Sequence, residues 1–169
     1  MDKQPLDTND IIFLLSDCPL FGGVYSCDEI PVTKKRPIAF VVNTDRSNKS
    51  GEHWQVIHLR KDGVGEFFDS FGLPPDVSQI SDYLDAEANG WGYLPFTVQH
   101  AFAVSCGLYC VNFIRARHAG LTYAQVIKQF SEDPNYNEEY IYNYGTGQIH
   151  SLTHLWNRRL SRLHGRKQV

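Results

Sequence analysis

The sequence lacks any long hydrophobic run, since no stretch approaches the roughly 20 consecutive apolar residues that a membrane-spanning helix needs. Its first five residues, Met1-Asp2-Lys3-Gln4-Pro5, do not begin a secretory signal pattern. We therefore expect an intracellular protein that makes no membrane contact.

Cysteine is scarce. The chain has four cysteines, Cys18, Cys27, Cys106 and Cys110. Their spacings differ from the two-residue gaps of common zinc sites, and no histidine pair completes a ligand set. Without a secretory signal, we expect reduced thiols. The sequence therefore predicts no metal site.

Repeats, low-complexity tracts and linkers rich in Pro, Gly or Ser are also missing. The 169 residues are 42% hydrophobic and 21% charged, which is typical of a globular domain with a substantial core. We predict a single domain over residues 1–169.

Acidic residues are absent after Glu139, although the net charge of the whole chain is −3. Basic residues crowd the same end of the chain: Arg158, Arg159, Arg162, Arg166 and Lys167. Such a cluster can make weak contact with nucleic acid or acidic partners. The favoured interpretation is a solvated helix face whose cations stabilise the helix C-terminus.

Hydrophobic patterns and turn signals predict a mixed α+β fold. Helices are expected at residues 7–15, 75–88, 106–118, 122–130 and 151–163, and strands at 38–43, 53–60, 65–71 and 93–98. The segment 106–118 is apolar on nearly all sides, which predicts a helix buried in the middle of the fold. The predicted architecture is a central, mainly antiparallel sheet with flanking helices and this buried helix.

Cys106 begins the buried helix, directly after Ser105, a residue type that caps helix N-termini. A thiolate in the first turn is stabilised by the helix dipole, and unpaired backbone N–H groups there can hold an oxyanion. Free cysteines are also among the most buried residues, so packing is the alternative explanation. Cys110, one turn later, is expected to pack.

His53 and Asp69 are a candidate base and its orienting acid, on two predicted strands joined by residues 61–64. A two-residue turn would place them on opposite faces of the hairpin. A three-residue loop ending at Gly63 instead makes Gln55 face Asp69, with His53 as the diagonal neighbour within hydrogen-bonding reach. The alternatives are a structural histidine and an exposed acid at a strand end.

Gln99 precedes the cysteine and is too far from it to share a helical turn. From the preceding loop, its side-chain amide can return to donate to a developing oxyanion, a contribution typically worth about 3 kcal/mol. Histidine, acid, glutamine and cysteine together are the parts of a thiol hydrolase, here with the histidine first in the chain.

These segments resemble the adenovirus-type (adenain-like) cysteine proteases and, more distantly, the proteases that process SUMO and other ubiquitin-like proteins. The resemblance spans residues 38–113 and is carried by His53-Trp54, by Asp69 with Phe71-Gly72, and by Val98-Gln99 followed by Ser105-Cys106-Gly107-Leu108. It implies that Cys106 is the nucleophile and that His53 is the base and later acid, oriented by Asp69. Gln99 and the Cys106 backbone N–H would form the oxyanion hole.

The resemblance also bears on substrates and activators. Both branches favour small residues, often Gly-Gly, before the scissile bond, and Trp54 is compatible with a narrow substrate tunnel, although packing also explains it. Adenovirus proteases are activated by a peptide tethered through a cysteine upstream of the glutamine segment, yet no cysteine lies between Cys27 and Cys106. The chemistry requires no cofactor. A tethered activating peptide would need Cys18 or Cys27 in the role of the missing cysteine, and beyond the basic C-terminal end the residues do not support activation by DNA.

The leading hypothesis is a cysteine endopeptidase of a virus or virus-like element that acts on protein substrates and matures virion proteins. It would be located in the host nucleus and virion, or in the cytoplasm. A second hypothesis is a protease for modifiers of the ubiquitin or SUMO type. A third is a non-catalytic binding protein on a protease-derived fold, which the presence of all four residue types disfavours.

Overall fold

A five-stranded mixed sheet forms the centre of the molecule. The computed structural model describes residues 3–143, and its strands, neighbours in chain order, are β1 Phe21–Ser26, β2 Ile38–Asn43, β3 Trp54–Leu59, β4 Gly65–Phe68 and β5 Trp91–Gly92. β2, β3 and β4 are antiparallel neighbours, whereas β1 is parallel to β2 and β5 is parallel to β4. The prediction of a mainly antiparallel sheet is therefore corrected to an antiparallel centre with parallel edges. Each parallel pair follows a long connection, because parallel neighbours require the chain to cross over.

Helices cover both faces of this sheet. Within residues 3–143 they are α1 Thr8–Leu15, α2 Ser78–Glu87, α3 Cys106–His118, α4 Tyr123–Ile127 and α5 Pro134–Asn143. Asp7 and Thr122 cap α1 and α4 through reciprocal side-chain bonds with the residues three positions on. The helices predicted at 7–15, 75–88, 106–118 and 122–130 are confirmed, although α2 begins later and α4 ends earlier than expected.

Alternation along the strands produces two hydrophobic cores. One face of the sheet presents Val41, Val56 and Phe68 to the core that contains α1, α3 and α4. The opposite face presents Phe40, Ile57 and Phe67 to Ile80 and Leu84 of α2. The sheet is thus buried on both sides, which explains the nearly continuous apolar run of β2.

The orientation of α3 determines where Cys106 lies. The helix is buried from Cys106 to Ile114, as predicted, and its Phe113 ring stacks on Phe68 with centroids 4.6 Å apart. At the C-terminal end of the helix, Arg117 forms a two-pronged ion pair with Glu66 at 2.8 and 2.9 Å. The other end of α3, with Cys106, therefore lies toward the end of β4, where Asp69 follows.

One predicted strand is wrong. Residues 93–98 are not a strand, because only Trp91 and Gly92 pair with β4. Pro95 cannot donate to a sheet ladder, and the chain beyond it leaves the sheet. The backbone N–H groups of Val98 and Gln99 instead donate to the Ser70 carbonyl at 2.9 and 3.1 Å.

Two elements were not predicted from the sequence. β1 contains Gly22 and Gly23, a residue type that is depleted in strands. α5 buries Asn137 and Glu138 together with Ile141, so its hydrophobic periodicity is weak. The helix predicted at 151–163 and the basic cluster around it lie outside the described residues. No helix within residues 3–143 is long and apolar enough to cross a membrane.

The close approach of residues 71–73 to Phe96 generates a stability prediction. Gly72 has a φ of +70°, and an added Cβ would lie 2.6 Å from the Phe96 backbone. Gly90 has a similar φ of +77° but nothing within 4 Å, so it is a matched control. We expect Gly90→Ala to lose about 1–2 kcal/mol from the left-handed backbone, and Gly72→Ala a further 1–3 kcal/mol or so from overlap. Urea unfolding of both variants measures this difference, and equal losses would contradict the close approach.

Candidate active site

The hairpin of β3 and β4 has the register that a three-residue loop predicts. Val56 pairs with Phe68, and the Arg60 N–H donates to the Val64 carbonyl at 2.9 Å. Gly63, the last loop residue, has a φ of +86°, which favours glycine. One step beyond the Val56–Phe68 pair, Gln55 stands opposite Asp69, as the three-residue loop requires.

This register brings Asp69 and His53 together. The Asp69 side chain is buried, with 5% of the residue exposed. Its Oδ1 atom lies 3.0 Å from His53 Nε2 and accepts from the Phe71 N–H at 2.8 Å, while Oδ2 accepts from Gln55 Nε2 at 3.1 Å. The alternative of an exposed acid at a strand end is therefore wrong. These three hydrogen bonds offset the cost of burying the Asp69 carboxylate. The carboxylate in turn holds the His53 imidazole in one orientation.

His53 lies between two groups that favour its protonated form. Burial alone would lower the pKa of His53, but hydrogen bonds to Asp69 and to the Cys106 side chain, together with their charges, raise this pKa to about 9. Because Nε2 is bonded to Asp69, the other ring nitrogen, Nδ1, remains for a second partner. The ring also stacks on Phe71, with centroids 5.1 Å apart. The net effect of this setting is to favour the protonated imidazole.

Cys106 is the first residue of α3, as predicted, and it is mostly buried. The Leu108 N–H of this first turn donates to the Ser105 carbonyl at 2.9 Å. The first residue of a helix, here Cys106, has no partner within the helix for its backbone N–H, which can therefore donate to an anion. Cys110 lies one turn deeper and is fully buried, and burial raises the pKa of its thiol well above the usual value. The prediction that Cys110 packs is confirmed.

The predicted capping role of Ser105 is wrong in one respect. Ser105 occupies the N-cap position of α3, but its side chain makes no capping hydrogen bond. Its hydroxyl instead donates to Glu138 Oε2 of α5 at 2.7 Å.

Gln99 is buried and its side-chain amide is fixed at both ends. Its Oε1 atom accepts from the Ser70 hydroxyl at 2.5 Å, and Nε2 donates to the Ala103 carbonyl at 2.8 Å. A donor on one side and an acceptor on the other determine which end of the amide is nitrogen. One N–H of Gln99 therefore stays available to a ligand beside Cys106, in the groove that both residues line.

A groove of about 630 Å³ lies at the candidate site. His53, Trp54, Gln99 and Cys106 line it, and so do residues 5–8, 45–46 and 49–52. Trp54 donates its indole N–H to the Leu6 carbonyl at 3.0 Å, so the indole binds the N-terminal segment rather than standing free. Among the predicted site residues, Asp69 is the one behind the groove, where it contacts His53.

Sequence reasoning missed three contributors to this site. Gln55 was placed opposite Asp69 but was not counted as a site residue, although the register alone indicates its contact. Ser70 follows the predicted acid, and its role in holding the Gln99 side chain is visible only in the folded structure. Glu138 carries no sequence signal. Within residues 3–143, no three His, Cys, Asp or Glu side chains come together in a way that could hold a metal ion.

Comparison with known proteins identifies similar folds. No family model and no curated protein matches the sequence. Among solved structures, the crystal structure of the ASFV pS273R protease matches with a TM-score of 0.53 at 19% identity, over 86% of this chain and 68% of that chain. The central domain of the uncharacterized Lpg1148 protein from Legionella pneumophila matches with a TM-score of 0.48 at 14% identity, over 95% of this chain and 98% of that chain. The chain therefore has a fold similar to that of the ASFV pS273R protease, and this likeness does not single out the adenovirus-type branch.

Proposed function

We propose that the chain is a cysteine endopeptidase whose nucleophile is Cys106. One observation carries the proposal: His53 Nε2 lies 3.0 Å from the buried Asp69 carboxylate, and His53 shares the wall of an open groove with Cys106, whose side chain helps to raise the pKa of His53. A positively charged imidazole beside a cysteine at a helix N-terminus favours the thiolate, which is the nucleophilic form. The similar fold of a viral protease supports the same reaction class.

In the first half of the proposed reaction, the Cys106 thiolate attacks the carbonyl carbon of the scissile peptide bond and forms a C–S bond. The carbonyl oxygen takes the electron pair and accepts hydrogen bonds from Gln99 Nε2 and the Cys106 backbone N–H. When the tetrahedral intermediate collapses, the C–N bond breaks. His53 transfers its proton to the leaving amine, so the product is a free amine and a thioester.

In the second half, neutral His53 takes a proton from water as the water oxygen attacks the thioester carbon. The same oxyanion donors hold the second intermediate, and the C–S bond then breaks. This releases the carboxylic acid and restores the pair of His53 and Cys106. Asp69 holds Nε2 and so fixes the orientation of the imidazole through both halves.

We propose that the substrates have small residues before the scissile bond, and the lining of the groove is consistent with this preference. Trp54, Leu6 and Ala103 all line it, and the Ala103 carbonyl accepts from Gln99 Nε2 at 2.8 Å. Since the Trp54 N–H is already bonded to Leu6, the indole offers an apolar surface rather than a hydrogen bond. A segment with Gly or Ala at these positions would bring its backbone close to the cysteine without a side-chain clash.

As a biological setting, we propose maturation of virion proteins by an enzyme of viral or virus-like origin. The viral source of the similar protease supports this setting. Processing of ubiquitin-like modifiers is the alternative, and the same assay distinguishes the two.

The assay compares wild type with Cys106→Ala and Cys110→Ala on fluorogenic peptides that end in Gly-Gly, beside intact ubiquitin and SUMO. We expect Cys106→Ala to abolish turnover, because the nucleophile is lost, and Cys110→Ala to keep most of it. Cleavage of peptides alone supports a maturation endopeptidase, whereas preference for intact modifiers supports the alternative. Full proteolysis by Cys106→Ala would refute the assignment.

The raised pKa of His53 predicts an alkaline limit to activity. Protonated His53 is required for the charged pair, so kcat/KM should fall as the pH rises through about 9. Asp69→Asn removes a charge and a hydrogen bond that hold this pKa up, so the limb should move to lower pH and the rate should drop. A pH–rate profile of both proteins measures the shift. An unmoved limb in Asp69→Asn would show that Asp69 is a structural acid.

Gln99→Ala tests the oxyanion hole. Loss of one such donor typically lowers kcat by about 100-fold, with a smaller change in KM, because the contact forms in the transition state. Gln129→Ala, at an exposed position, is the control. Steady-state kinetics on the best peptide provide the values, and a rise in KM with constant kcat would instead assign Gln99 to substrate binding.

A further inference from the structure

The carboxylate of Glu138, on α5, joins the two segments that carry Gln99 and Cys106. Its Oε2 atom accepts from the Ser105 hydroxyl at 2.7 Å, one residue before Cys106. Its Oε1 atom accepts from the His100 backbone N–H at 3.1 Å, one residue after Gln99. The side chain is buried, at 8% exposure. One carboxylate thus holds both ends of the loop over residues 99–105.

Neighbouring groups strengthen the same connection. Asn137 is fully buried and donates its Nδ2 to the Val98 carbonyl at 3.0 Å, just before Gln99. The Tyr109 hydroxyl lies 3.1 Å from both this carbonyl oxygen and Glu138 Oε1. The residues on either side of Gln99 are therefore both fixed to α5.

We propose that Glu138 is a positioning residue that sets the distance between the two oxyanion donors, an inference that rests on the proposed function. Gln99 Nε2 and the Cys106 backbone N–H must reach the same oxygen atom. The loop between them has no regular structure, so its ends need an outside anchor. Glu138 provides that anchor without contacting the groove itself.

The chemistry of the contact argues for more than packing. A buried carboxylate is costly unless donors surround it, and an apolar residue would fill the same space at no such cost. Ser105 leaves the first turn of its own helix without a side-chain cap in order to donate to Glu138. Glu138 is thus a buried acid and Ser105 a helix N-cap without a capping bond, and their contact fixes the position of the loop over residues 99–105.

The test is Glu138→Gln, which keeps the shape but replaces one acceptor oxygen by a donor. Glu139→Gln, the exposed neighbour, is the matched control. Since misplacement by about 1 Å costs up to roughly 100-fold in rate, we expect kcat of Glu138→Gln to fall at least about tenfold, with KM changed less than about twofold. Backbone amide hydrogen exchange should accelerate in residues 99–105 and stay unchanged in β3.

Each outcome decides the inference. Faster loop exchange with unchanged kcat, or no change in either, would overturn it, and so would an equal effect of Glu139→Gln. If Glu138→Gln does not fold, Ser105→Ala removes one of the bonds and should produce a smaller change of the same kind.

A readout without proteolysis separates this inference from the proposed function. If wild type cleaves no substrate, the proposed function fails, but alkylation of Cys106 by iodoacetamide still reports the position of the helix start. Slower alkylation in Glu138→Gln together with faster loop exchange would support the positioning role. Equal alkylation rates would contradict it.

Discussion

The register of the β3–β4 hairpin is the constraint on which the candidate site depends. Because side chains alternate along a strand, a slip of one residue would move every side chain of one strand to the other face. Gln55 would no longer stand opposite Asp69, and His53 would lose its carboxylate. The three-residue loop that ends at Gly63 sets this register through contacts within the hairpin itself.

A second constraint is the balance of buried charge. Asp69 is buried at the end of the sheet, where an ionised carboxylate without partners would be costly. Its partners include the imidazole of His53, and this contact is one of the causes that raise the pKa of His53 to about 9. The stabilisation from this raised pKa is fully present below the ordinary pKa of histidine, near 6.5, and is lost as the pH rises through about 9. The interaction that orients the His53 imidazole therefore also stabilises the fold at neutral pH.

The sequence was most informative where structure is local. The hairpin register, the capped helix α1 and the burial of α3 follow from turn chemistry and hydrophobic period, so they could be predicted from residues close in the chain. The parallel edges of the sheet could not, since β1 contains two glycines and β5 has two residues. The path of residues 93–98 could not be predicted from local sequence patterns either, because its end is fixed by hydrogen bonds to Ser70, which is distant in the sequence.

The failure to predict α5 has the same physical origin as its proposed role. A helix is recognised in a sequence by an apolar stripe, and the buried residues of α5 include Asn137 and Glu138. Those polar side chains face inward because the segment they contact, residues 98–105, has no sheet or helix to satisfy its own backbone groups. An irregular loop leaves donors and acceptors unpaired, and the adjacent helix must supply polar partners instead of an apolar face. The polar inner face of α5 is therefore a consequence of placing Gln99 on a loop beside Cys106.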